Sequence, residues 1–185
     1  MLKRYEDFLK VFDTQLKKYF EHEKKYIKCK KGCACCCEIG EYPFSRLEAE
    51  YLMSGFIQLP VDIQKIIKQN IQKLLNEKQE STSDRFEYCC PFLINKECSL
   101  YKYRGIVCRT FGLAYAENNK IRLPECVNFG LNYSEIYDKS TQEIMLENPI
   151  KESLRIDNIL RSKIAEKYQL ECGKIQPLIN WFSQE

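Results

Sequence analysis

The sequence predicts a mainly α-helical fold: a small helical domain around an irregular cysteine-rich centre, with one short β-hairpin. Three observations carry this. The first twenty residues repeat apolar side chains at helical spacing. A Ser45-Arg46-Leu47-Glu48 capping signature opens a second helical run. Ten of the eleven cysteines crowd into two stretches too rich in small thiols and turn residues for regular structure.

Leu2, Tyr5, Phe8, Leu9, Phe12, Leu16, Tyr19 and Phe20 recur at helical positions, so the chain opens with an amphipathic helix laid on a core. The stretch Lys28–Pro43 is expected to be a loop without regular helix. A helix from Ser45 runs to a break near Gly55. Another follows Pro60, with Asp62 in its first turn and Ile63, Ile66, Ile67, Leu74 and Leu75 on its apolar side, interrupted at Asn70. Residues 76–87 read as a polar connector. Phe111–Tyr115 and Lys120–Leu123 read as the strands of a hairpin turning through Glu117-Asn118-Asn119, since Asn tolerates left-handed turn geometry. Asn148-Pro149 reads as the start of a helix reaching about Leu170, with Gly173 as its stop. The final QPLINWFS is apolar enough to dock. The 185 residues read as one domain, 1–185.

A net charge of +3 is too small to single out nucleic acid or an anionic membrane. No run approaches the roughly 18 apolar residues of a spanning helix. The first residues carry charges throughout, unlike a secretory leader. We therefore expect a cytoplasmic protein in a reducing compartment, with no membrane partner. Dense cysteine there points to metal binding or redox chemistry rather than structural disulfides.

The cysteines fall as Cys29-x3-Cys33-x2-Cys36-Cys37, with Cys35 inserted, and as Cys89-Cys90-x7-Cys98-x9-Cys108, followed by Cys126. Short spacings let one loop bring two or three sulfurs to about 2.3 Å from a metal. The only histidine, His22, sits in a charged helical run and reads as solvated. The donor set is thus nearly all sulfur, which favours zinc, iron–sulfur or copper(I) over magnesium, calcium or manganese. The expected ligands are Cys29, Cys33, Cys36, Cys37, Cys90, Cys98, Cys108 and Cys126, enough for one site or two. Cys35 and Cys89 read as non-ligands beside better-placed neighbours, and Cys172 as an inert buried thiol. Arg104 and Arg109 are expected to offer charge and N–H groups to the sulfurs, and Tyr101, Tyr103 and Phe111 read either as shields from water or as plain core aromatics. The expected cofactor is a [4Fe-4S] cluster or Zn²⁺.

The motifs CKKGCACCC, SRLEAEYL and CPFLINKECSLYKYRGIVCRTF resemble the YkgJ-like cysteine-cluster family, also described as the CxxCxxCC or zinc- or iron-chelating domain. The resemblance covers roughly residues 28–129. It rests on Cys29, Cys33, Cys36 and Cys37, on Cys90-Pro91-Phe92-Leu93, Cys98, Leu100-Tyr101, Arg104, Cys108-Arg109-x-Phe111, and on Cys126. The family commonly has Arg-Pro where this chain has Arg104-Gly105, a departure expected to loosen that turn. The resemblance implies a metal-binding domain whose metal varies. Larger relatives, the flagellin lysine N-methylases, imply an Fe–S-dependent modifying enzyme acting on a protein substrate with S-adenosylmethionine as donor. This chain is much shorter and shows no glycine-rich nucleotide loop, so the metal site is carried over and the activity is not. Besides a structural or electron-transfer centre, the open alternatives are that modifying enzyme and a metal chaperone or store. The partner in each case is a metal ion or cluster, with a protein partner for the enzyme; nucleic acid is not favoured.

Overall fold

Helix α1 (Leu2–His22) follows directly from the opening aromatic stripe: Tyr5, Phe8, Leu9, Phe12 and Leu16 are buried, while Tyr19 and Phe20 are only partly covered. The computed structural model describes residues 1–30, 32–118, 120–145, 150 and 153–183. The chain is mainly α-helical, with four antiparallel two-stranded ribbons among the described residues.

The first cysteine stretch departs from the expected loop. Gly32 turns it at φ +89°, and Cys35–Glu38 then forms one helical turn, α2. The amides of Cys37 and Glu38 close that turn on the Ala34 carbonyl at 2.7 and 3.1 Å. Four residues suffice because this turn is held by neighbouring chain rather than by its own length.

Strand β1 (Pro43–Ser45) leads into α3 (Arg46–Phe56) through the expected capping box. Ser45 Oγ accepts the Glu48 amide at 3.3 Å, and Glu48 Oε2 accepts the Ser45 amide at 2.8 Å. Such a cap contributes about 1 kcal/mol. Glu48 is fully buried, and its other oxygen accepts the Ile106 amide at 2.8 Å, so the cap also anchors the second cysteine segment. Helix α3 ends one residue past Gly55, where a Cβ would stand 2.3 Å from the Tyr103 ring: that glycine serves a close approach as well as a stop.

Helix α4 (Val61–Glu80) buries Ile67 and Leu74, but Ile66 is 39% exposed, so the apolar side is narrower than its sequence suggested. It also takes in residues 76–80 of the expected connector, which shortens to 81–87. Asn70, the interruption in the stripe, donates to the Pro91 carbonyl at 3.1 Å and so ties α4 to the second cysteine segment.

That segment contains a hairpin with no counterpart among the expected elements, β2 (Leu93–Ile94) with β3 (Glu97–Cys98), turning through Asn95 and Lys96 at φ 51° and 62°. Both turn residues in the left-handed region match strand twist. Helix α5 (Ile106–Thr110) follows. The expected hairpin is present as β4 (Tyr115–Glu117) and β5 (Lys120–Arg122), with Asn118 at φ 50°; Asn119 lies outside the described residues. Its first strand starts four residues later than expected because Gly112, at φ +90°, bends the chain after α5. A last small ribbon pairs β6 (Tyr137–Asp138) with β7 (Glu143–Ile144).

The expected helix to Leu170 is instead two short helices, α6 (Ile156–Leu160) and α7 (Lys163–Lys167). Ser162 separates them by starting a new cap, its Oγ accepting the Ala165 amide at 3.3 Å. The expected start at Asn148-Pro149 lies outside the described residues. Gly173 does not stop a helix; α7 has already ended, and Gly173 lies at φ +69° in the link to β8 (Ile175–Pro177). β8 pairs antiparallel with β1, Phe44 opposite Gln176, and the buried Leu178 and Ile179 follow. Trp181 Nε1 donates to the Phe44 carbonyl at 3.0 Å, so the C-terminal stretch docks as its composition suggested.

Three clusters of buried side chains result. One lies between α1, α3 and the C-terminal helices; one lies between α3, α4, Tyr88, Phe92, Leu100 and Leu178; the smallest gathers Ala114, Val127, Tyr133 and Ile150. Among the described residues no helix is long and apolar enough to cross a membrane.

Candidate metal centre

Cysteines from the two stretches lie near one another, and backbone bonds hold them there. The Cys90 amide donates to the Cys37 carbonyl at 2.8 Å, and Gly40 pairs with Tyr88 in an antiparallel bridge. These bonds lay the start of the second stretch along the end of α2. Around Cys37 the interacting thiols are Cys36, Cys89, Cys90, Cys98 and Cys108. Burial first, and then these neighbours, push the Cys90, Cys98 and Cys108 thiols up, because crowded thiolates in a poorly solvated place repel one another. Cys36 and Cys37 sit with their sulfurs 4.0 Å apart. Cys37 is pulled down to about 7, first by the hydrogen bond from Cys36 and then by the Arg104 charge.

Cys126 joins from a different direction. It sits in the 3-10 turn Glu125–Phe129, which Gly130 closes in the left-handed region at φ 74°. Asn132, fully buried, does the fastening: its Oδ1 accepts the amides of Lys28 and Cys29, both at 2.8 Å, and its Nδ2 donates to the Gly112 carbonyl at 2.7 Å. One side chain thus joins the start of the first cysteine loop, the end of α5 and the stretch after Cys126. Cys29 is exposed, yet partial burial and then the Cys33 thiol, with Cys126 and Cys35 beyond it, raise it to about 11.

The expected arginines divide the work. Arg104 faces the thiols, its charge acting on Cys37, Cys98 and Cys108, and its guanidinium stacks 3.8 Å from the centre of the Tyr101 ring. Arg109 acts at one remove. Its Nε and Nη2 donate to the carbonyls of Arg104 and Lys102 at 3.0 Å, and its Nη1 meets Asp13 of α1 at 2.6 Å. It braces the turn that carries Arg104 rather than offering its charge to sulfur. Tyr101 is 61% exposed and so holds the arginine more than it shields thiols. Phe111 does pack on the wall, edge-on to Tyr42 with centroids 6.1 Å apart. Tyr103 belongs to the Tyr51 contact on α3.

Gly105 does not loosen its turn. Its φ of −71° suits a proline, but a Cβ there would stand 2.7 Å from the Phe44 ring and 3.0 Å from Glu48 Oε1, so the side chain is absent because the packing is close.

Sequence reasoning missed Asn132, Tyr42 and Tyr88. Tyr42 donates to the Tyr88 carbonyl at 3.1 Å, the two rings meet edge-on, and the charge of Cys90 and its neighbours bears on both. Nothing in a lone Asn or Tyr codes for such a long-range role. Three residues read as non-ligands lie as follows. Cys89 is exposed, Cys172 packs in the first core cluster with its thiol facing the Leu170 carbonyl at 3.9 Å, and Cys35 lies beside Cys33 and Cys126. His22 is 69% exposed and bonds to Glu23.

Whether this set suits a metal is a matter of donors and surroundings. Among the described residues no group of three or more His, Cys, Asp or Glu side chains is arranged so that it could hold a metal ion as it stands. The surroundings do fit thiolates. The Phe92, Leu100 and Asn132 amides lower the Cys90, Cys98 and Cys126 thiols against the effect of burial, each N–H favouring the charged form. Arg104 Nε is buried with no hydrogen-bond partner, close to three thiols. An anionic sulfur centre would satisfy that orphaned donor.

No family model matches the chain, and neither a curated protein nor a solved structure is similar to it.

Proposed function

We propose that this protein binds a thiophilic metal, zinc or a [4Fe-4S] cluster, through cysteine thiolates contributed by both cysteine stretches. The observation that carries this reading is the meeting of Cys37 with Cys90, Cys98 and Cys108 under the unpartnered Arg104 Nε–H. Thiols crowded this way repel when ionised, and a cation removes that repulsion. Four thiolates on Zn²⁺ or on an oxidised [4Fe-4S] core leave a charge of about −2, which Arg104 and the Phe92 and Leu100 amides oppose. The bound group would supply a cross-link between the two stretches and, as a cluster, a one-electron carrier. The residues of the chain fix the loops and exclude water on the Tyr42 side. The motif resemblance to the YkgJ-like family points the same way. We further propose a cytoplasmic location, where eleven thiols stay reduced.

A store or chaperone that hands metal on is favoured by one observation, the exposure of Cys29 and Cys89, which leaves sulfur accessible to an incoming ligand.

Anaerobic purification followed by metal and sulfide analysis and a visible spectrum tests the proposal. Brown protein with absorbance near about 400 nm and acid-labile sulfide identifies a cluster. Colourless protein with stoichiometric zinc identifies zinc. A chain that takes up neither, even on reconstitution, refutes metal binding. Rapid loss of metal to a competing chelator would separate a store from a fixed centre.

A further inference from the structure

We propose that the thiols form two centres: Cys29, Cys33, Cys35 and Cys126 hold the first, Cys37, Cys90, Cys98 and Cys108 hold the second, and Cys36 stands between them. This rests on the metal-binding reading above and adds to it a stoichiometry, a partition and a ligand, Cys35, that the sequence pattern had set aside.

The partition starts from the geometry of α2. Successive residues of an α-helix are rotated by about 100°, so Cys35 and Cys37 lie roughly 200° apart, on nearly opposite sides of one turn. A single turn carrying three consecutive cysteines must therefore divide them. The chain around α2 is divided in the same way. On the Cys37 side, the Cys90 amide bonds to the Cys37 carbonyl and Gly40 bridges to Tyr88, which brings up the stretch bearing Cys90, Cys98 and Cys108. The 3-10 turn that bears Cys126 also packs on α2, and its thiol neighbours are Cys33 and Cys35 rather than Cys37. There Asn132 draws Cys29 to the same place through its amide.

The electrostatic neighbours separate along the same line. Cys29, Cys33, Cys35 and Cys126 act on one another, and Cys37, Cys90, Cys98 and Cys108 act on one another, with the exposed Cys89 also facing Cys37 from the rim of the second set. Cys36 has the Cys37 sulfur 4.0 Å away and interacts with it first, then with Cys108 on that side and Cys29 on the other. Four sulfurs complete a tetrahedral ion or a cubane cluster. One centre would leave half of this assembly without a role; two centres use all of it except Cys36 and the exposed Cys89.

Metal and sulfide per chain, measured on the anaerobically purified full chain and its Ser variants, decide the matter. The unaltered chain is expected to hold two zinc ions, or about eight iron and eight sulfide. Cys35→Ser and Cys126→Ser are each expected to halve the content, and the double variant to lose no more than either alone. Cys98→Ser is expected to halve it as well, and Cys98→Ser with Cys126→Ser to abolish it. Cys36→Ser is expected to keep both centres. Cys35 is only partly buried, so Cys35→Ser decides the partition even if a variant of the second group fails to fold. Retention of full content by Cys35→Ser, or one centre per unaltered chain, overturns the partition alone. No metal at all overturns both the partition and the metal-binding proposal.

Discussion

The two thiol groups are built in contrasting ways. The one around Cys37 sits against a packed wall of Tyr42, Tyr88 and Phe111, is laid down by backbone bonds, and faces an arginine. The other begins at Cys29 on an exposed loop before Gly32, where a single buried side chain, Asn132, fastens the Lys28 and Cys29 amides. Rigidity in the first case comes from the core the thiols adjoin. In the second it comes from three hydrogen bonds to one amide group, so the two should respond differently to metal loss, substitution and pH.

Metal removal is expected to have the largest effect. Stripping a structural thiolate centre forfeits on the order of 10 kcal/mol of apparent stabilisation. Urea denaturation of loaded and stripped chains should show a large fall in midpoint, with amide exchange rising first along residues 28–37 and later around Tyr42 and Tyr88.

Asn132→Ala comes next. It leaves two amides and the buried Gly112 carbonyl without their partner, at about 2 kcal/mol. Denaturation should report that loss, and amide exchange should accelerate at Cys29 while Cys90 stays protected. Equal acceleration at both would erase the distinction between the groups.

The metal-free chain should lose stability as pH rises. Burial, hydrogen bonding and mutual repulsion raise Cys29, Cys36, Cys90, Cys98 and Cys108 above the usual thiol value when folded. Between about pH 8.5, where unfolded thiols ionise, and the raised folded values, the unfolded chain holds fewer protons, so folding weakens. Cys37 contributes in the opposite sense: its lowered value adds stability above the unfolded thiol pKa, and this is lost as pH falls through about 7. Metal-free denaturation midpoints from pH 7 to 10 should therefore fall, whereas metal affinity should fall toward acid, since ligation needs thiolates.

Arg104→Gln should move the pH midpoint of Cys37 alkylation in the metal-free chain upward from about 7, leaving Cys29 unchanged. The smallest effect is expected of Cys89→Ser, an exposed thiol: unchanged metal content and stability within about 0.5 kcal/mol by denaturation.

Local signals in the sequence carried far. The aromatic stripe of α1, the Ser45–Glu48 cap and the Asn118 hairpin all depend on near neighbours, and each is present. The cysteine spacing announced two stretches of one kind of donor, and the stretches do meet. Long-range roles were hidden. Glu48 reads as a cap but also anchors Ile106; Asn70 reads as a break in an apolar stripe and Asn132 gives no signal at all, yet both fasten distant backbone. β1 meets β8 across more than a hundred residues without a local sign. The one-turn α2 is too short for any periodicity, and that turn is what sets Cys35 apart from Cys37. The broken C-terminal helix shows the reverse error: an apolar period runs through Ser162, but its hydroxyl starts a second helix there.

X-ray absorption at the metal edge of the loaded chain tests the central claim most directly. A first shell of about four sulfurs near 2.3 Å, with neither nitrogen nor oxygen, is the expected result. A shell dominated by oxygen or nitrogen would contradict it, as would a sulfur shell that persists unchanged when Cys37, Cys90, Cys98 and Cys108 are all replaced by serine and Cys126 with them.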